Sequence, residues 1–143
     1  MKKKIIIGSL IALLLISLIF VHVAVVLSNP LRRSAEKIKE SILELTPIGT
    51  DIRDVTNVIK SNEKWKIEYT ADGQDENGFI SDNSKKTMRV FLGKYRGDFS
   101  GGENILDAIF DIIISRTHVT VFWGFDENSE LIDVYVWKDM SGF

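Results

Sequence analysis

The chain of 143 residues contains no cysteine. That absence excludes disulfides, thiolate metal sites, a cysteine nucleophile and a lipid-anchoring cysteine. Histidine is nearly as scarce, with two in the whole sequence, which excludes a histidine-rich metal centre. Excess positive charge is lacking too. The formal net charge is −2, and Lys2, Lys3 and Lys4 account for a +3 contribution. Residues 28–143 therefore hold fifteen basic against twenty acidic side chains, a net charge of −5. A net acidic region gives no electrostatic footprint for nucleic acid, so no nucleic-acid partner is expected.

Charge is missing most conspicuously from Ile5 to Leu27, 23 residues without Asp, Glu, Lys or Arg. A helix of that length spans about 34 Å, against a hydrocarbon core of about 30 Å. The run predicts a transmembrane anchor over residues 1–28, with the lipid bilayer as the partner of residues 5–27. A cleaved signal peptide is the alternative, but its apolar stretch is usually about 7–15 residues. Cleavage after Ala24 would put His22 three positions back from the cut, whereas cleavage after Ser28 would put Val26 there, which a signal site tolerates. Lys2, Lys3 and Lys4 directly before the run favour a cytoplasmic N-terminus and an extracytoplasmic domain. The expected location is the cytoplasmic membrane, crossed once. His22, near one end of the run, reads as a neutral side chain reaching the headgroups.

Residues 29–143 read as one small α+β domain. Asn29-Pro30 breaks the chain after the apolar run. Residues 31–45 follow as a helix, with Leu31, Ala35, Ile38, Ile42 and Leu45 on one stripe. Thr46-Pro47-Ile48-Gly49 stops it. A second helix starts with Thr50 as its N-cap and buries Ile52, Val55, Val58 and Ile59. Both stripes require a sheet to pack against. Four strand candidates supply it. Trp65, Ile67 and Tyr69 alternate in the first. Met88, Val90 and Leu92 share a face of the second, opposite Arg89 and Phe91. Val119, Val121, Trp123 and Phe125 share a face of the third, and Leu131 to Trp137 form the fourth. The expectation is thus an N-terminal transmembrane helix, then two short helices packed on an antiparallel sheet of three to four strands. Residues 71–85 read as a solvated loop, residues 126–130 as a hairpin loop, and residues 97–117 as an insertion with a short helix over Glu103 to Ser115.

The segment Pro47-Ile48-Gly49-Thr50-Asp51-Ile52-Arg53-Asp54-Val55, followed by Val58-Ile59, resembles the small outer-membrane-assembly lipoprotein family (SmpA/OmlA), whose fold is shared with the β-lactamase-inhibitor-protein-like repeat. Trp65-Lys66-Ile67, Gly93-Lys94-Tyr95-Arg96 and the run from Val119 to Asp126 are similar to uncharacterised membrane-anchored or exported bacterial proteins. The resemblance implies helices on an antiparallel sheet and a place in the cell envelope. It attaches no activity. The lipoprotein family carries a lipidated cysteine, which this chain replaces with an apolar helix.

Catalytic signatures are sparse. His118 is the single imidazole of residues 28–143. No Gly-x-Ser-x-Gly turn presents a serine, and Gly101-Gly102 leads into no phosphate-binding Lys-Ser or Lys-Thr. Asp107 and Asp111 would share a helix face, which reads as a polar face rather than an acid–base pair. Asp72, Asp75, Glu76, Asn77, Asp82 and Asn83 lack the order and closing Glu of a calcium loop. These observations predict no catalytic, cofactor or metal residues and a non-enzymatic protein. The remaining signal is aromatic. Phe122, Tyr135 and Trp137 are the candidate partner-binding residues if the sheet face turned away from the helices is open; the alternative is a core covered on both sides, by residues 96–118. The expected function is a membrane-tethered module for an envelope protein or cell-wall component. The acidic stretch from Asp98 onward supports an alternative, an anchored immunity or inhibitor protein that masks a basic site.

Overall fold

The computed structural model describes residues 13–21, 24, 28–74, 77–96 and 116–141. Among the described residues from 28 onward, helices α1 (Ala35–Leu45) and α2 (Ile52–Ser61) precede strands β1 (Lys66–Asp72), β2 (Lys86–Arg96), β3 (Arg116–Phe125) and β4 (Leu131–Ser141). A short 3-10 turn, Pro30–Arg32, leads into α1. The strands form one antiparallel sheet in the order β1-β2-β3-β4, so each pairs with its neighbour in sequence. Among the described residues no helix is long and apolar enough to cross a membrane. The predicted span over residues 5–27 lies largely outside the described residues. So do His22, Asp107, Asp111 and residues 97–115 of the expected insertion 97–117, whose last two residues, Arg116 and Thr117, instead open β3.

The first helix is shorter than its apolar stripe. Leu31 belongs to the 3-10 turn, because Asn29 caps that turn through the Leu31 N–H and Ser34 caps α1 through the Lys37 N–H. Each side-chain oxygen satisfies a backbone N–H that a helix start leaves without an internal partner. Ile38 and Ile42 are buried, but Leu45 at the C-terminus is 56% exposed. In the first turn, the Glu36 carboxyl sits below the usual carboxylate range. Its own backbone N–H is the main cause, the Ser34 hydroxyl the next, and Lys138 adds a smaller attraction.

The second helix is capped by Asp51 rather than Thr50. The Asp51 carboxylate accepts the Arg53 N–H at 2.7 Å, while the Thr50 hydroxyl turns back and donates to Pro47 O at 2.6 Å. A carboxylate also carries charge at the positive end of the helix dipole, which a hydroxyl does not. Gly49 makes the tight return between the helices at φ +89, and its N–H donates to Leu131 O. Val55 and Ile59 are fully buried. Each stabilises the fold by roughly 1.5–3 kcal/mol relative to exposure.

Helix α1 lies on β4, α2 on β1, and the 3-10 turn on β2. The core between the layers is built from Val90, Val119, Val121, Trp123, Phe125, Leu131 and Val134 with the helix stripes. The predicted faces of β2 and β3 are as found: Met88, Val90 and Leu92 join the four alternate residues of β3 in this core. Strand β1 departs from simple alternation. A bulge between Ile67 and Tyr69 pairs Ile67 with Val90 but Tyr69 with Arg89, which turns Tyr69 to the face away from the helices. A second bulge, between Phe91 and Gly93, sets Gly93 at φ +141 beneath Leu31.

Candidate functional site

The sheet face turned away from the helices is where the three candidate residues meet. Antiparallel register places Phe122 of β3 opposite Tyr135 of β4, and Thr120 opposite Trp137. Directly opposite and diagonal side chains on one sheet face lie within reach of each other. The rings are joined by Phe79, which lies within the expected solvated loop 71–85. Its ring stacks on Tyr135 at 4.7 Å and 11°, meets Phe122 edge-on at 5.4 Å, and tilts against Trp137 at 5.6 Å. Aromatic pairs in these arrangements contribute about 0.5–1.5 kcal/mol each beyond burial.

The expected solvated loop 71–85 is corrected on two counts: Ala71 and Asp72 belong to β1, and Phe79, Ile80 and Ser84 lie against the sheet as a cover. Ile80 is buried at 2% exposure on the sheet. A Cβ on Gly124 would collide with Ile80 Cγ2 and Ser84 Oγ, so the cover can lie on the strand because that position lacks a side chain. Polar contacts hold it at both ends. The Gly73 N–H donates to Lys85 O, and the Lys85 N–H donates to Phe125 O, both at 2.7 Å. The Gln74 amide donates to Ile80 O at 2.7 Å and to Asp82 Oδ1 at 2.9 Å. The Ser81 N–H donates to Asp133 Oδ2 at 3.2 Å, and Asp133 also pairs with Lys39 of α1 at 3.5 Å.

Arg89 occupies the centre of the same face. Its guanidinium lies 5.8 Å from the Tyr69 ring, 5.5 Å from Phe122 and 5.7 Å from Trp137. Glu68 Oε2 approaches Arg89 Nε to 2.7 Å. The carboxylate lies off the N–H axis, so the pair is an ion pair rather than an aligned hydrogen bond. A planar cation spread over three rings keeps its charge while packing like an apolar group.

The three predicted residues thus come together but differ in access. Phe122 is wholly buried under Phe79, Trp137 is half-buried, and Tyr135 is 36% exposed. Phe122 holds the face in shape, while Tyr135 and Trp137 present its surface. Sequence reasoning missed Phe79, Arg89 and Tyr69. Phe79-Ile80 was the signal for the cover, since it is the sole apolar pair between Gly73 and Lys85. The bulge that turns Tyr69 has no comparable signature. Further along the sheet, His118 is half-buried beside Phe91, with ring centres 5.6 Å apart. Among the described residues, no three His, Asp or Glu side chains converge in a geometry that could hold a metal ion. The chemistry gathered on this face is aromatic surface and one delocalised cation, which suits binding through stacking and burial.

Comparison with known proteins finds no family model, no curated protein and no solved structure that matches this chain.

Proposed function

We propose that the protein is a non-enzymatic, membrane-tethered module of the cell envelope that binds another envelope protein or a cell-wall component. The observation that carries this reading is the platform of Phe79, Tyr135 and Trp137 around Arg89. Tyrosine, tryptophan and arginine are the side chains that most often dominate binding energy at protein interfaces. The uncharged run Ile5–Leu27 supplies the tether, crossing the cytoplasmic membrane once with Lys2, Lys3 and Lys4 on the cytoplasmic side. Residues 29–143 then stand outside the cytosol. Tethering raises the effective concentration of the platform toward partners on the same membrane. The resemblance to outer-membrane-assembly lipoproteins supports the envelope placement.

The test is recovery of crosslinked partners from intact cells with Tyr135→Glu and Trp137→Ala variants. Partner recovery should fall for both while the domain stays folded. Undiminished recovery by folded variants removes the platform from the binding reaction. Digestion of residues 28–143 by protease added to intact cells reads the compartment independently.

A second reading, an anchored immunity or inhibitor protein, is favoured by the acidic end of the sheet. The β3–β4 hairpin brings Asp126, Glu127 and Glu130 to one end, and Glu130 bridges to Asp51 at the start of α2, with Asp54 in its first turn. Such a surface suits a basic active site. Protection of cells from a co-encoded toxin, lost on reversing those charges, distinguishes it from the first reading.

A further inference from the structure

The helical side of the sheet carries a groove that the aromatic platform does not use. It opens between the 3-10 turn, the C-terminal ends of α1 and α2, and the bulged part of β2. Leu31, Leu45, Val58, Trp65 and Leu92 form its apolar walls, around an open volume of about 1110 Å³. A narrower recess of about 180 Å³ continues from it toward Ile38 and Ile42. Leu45 stands 56% exposed in the wall, an apolar side chain left in water beside the buried Ile38 and Ile42 of the same stripe.

We propose that this groove takes an anionic phospholipid, with an acyl chain along Leu31, Leu45, Trp65 and Leu92 and the phosphate among Arg33, Lys64 and Lys94. The proposal rests on the tethered reading above. Two independent features point to this occupant. The first is position. Ser28 and Asn29 line the groove and follow directly on the apolar run Ile5–Leu27, so the groove opens where the chain leaves the bilayer. The second is charge. Among the described lining residues, Arg33, Lys64 and Lys94 border the groove and recess against one acid, Glu63, whereas residues 28–143 as a whole carry −5. A basic border on an acidic domain selects an anionic surface, and lysines with tryptophan are the side chains that settle at the headgroup level. Docking there would lay the helical layer against the leaflet and leave the aromatic platform facing away from it.

The lack of native cysteine makes a direct test possible. Spin labels on Leu45→Cys and on Val58→Cys report the two walls, and a label on Asn128→Cys in the hairpin is the water-facing control. The full chain is reconstituted into vesicles of zwitterionic lipid with or without an anionic phospholipid. With the anionic lipid, both wall labels should gain collisions with oxygen and lose collisions with a nickel chelate. The control should remain open to nickel. The double substitution Lys64→Glu, Lys94→Glu should abolish the difference between the two vesicle types. Wall labels that stay open to nickel in a chain resistant to alkaline carbonate overturn the groove proposal and leave the anchor standing. Labels shielded from both reagents place protein in the groove and overturn it as well. A chain washed off by carbonate overturns the anchor, and the groove proposal with it.

Discussion

The indole Nε1 of Trp123 donates to the hydroxyl of Thr46 at 3.2 Å, across 77 positions of sequence. Both side chains are buried, and the Thr46 hydroxyl in turn donates to Ile42 O at 3.0 Å. One hydroxyl therefore closes the end of α1 and satisfies the largest side chain of the core. Thr46→Val keeps the shape but leaves the indole N–H without its acceptor. The expected loss is about 1–3 kcal/mol, the cost of a buried unsatisfied donor. Urea unfolding with an unchanged m-value measures it.

Gly124 should tolerate no side chain while the cover lies on the sheet. Gly124→Ala forces Ile80 and Ser84 away, at an expected cost of about 1–3 kcal/mol for overpacking. Limited proteolysis should then cut around Phe79 and Ile80 much faster than in the parent protein, with strand β3 still protected from hydrogen exchange.

Phe122 and Tyr135 should separate stability from binding. Phe122→Ala empties a fully buried site and should cost about 3–5 kcal/mol. Tyr135→Ala, at a position already 36% exposed, should cost far less in stability but weaken partner capture. Thermal unfolding paired with crosslinking yield distinguishes the two roles.

Glu36 should titrate below an ordinary glutamate, and Ser34→Ala should move it back upward. Its folded-state value is depressed. Its small stabilising contribution is therefore present above the unfolded-state value and fades as pH falls through the folded one. Carbon-detected NMR titration of the Glu36 carboxyl reads the shift directly.

The alternating runs of β2 and β3 and the helix stripes were legible because burial on one face imposes a period on sequence. Three features escaped that logic. The N-cap moved from Thr50 to Asp51 because either oxygen can cap a helix, and only the path of the preceding turn decides between them. The bulge in β1 carried Tyr69 to the other face without disturbing the apolar–polar alternation in the sequence. The cover escaped because its many polar residues mask a single apolar pair, and its seat is a glycine some forty residues away. The meeting of Phe122, Tyr135 and Trp137 followed from two adjacent strands. Their joining by Phe79 and Arg89 required the register.

The earliest helix of the domain rests on its latest strand. Lys39 of α1 pairs with Asp133, and the Lys138 ammonium donates to Arg33 O beside the 3-10 turn. During synthesis α1 leaves the ribosome long before β4 exists, so its apolar stripe has no seat until the final strand emerges. Folding of this domain thereby waits for β4, and a nascent polypeptide halted before Leu131 should stay open and sensitive to protease.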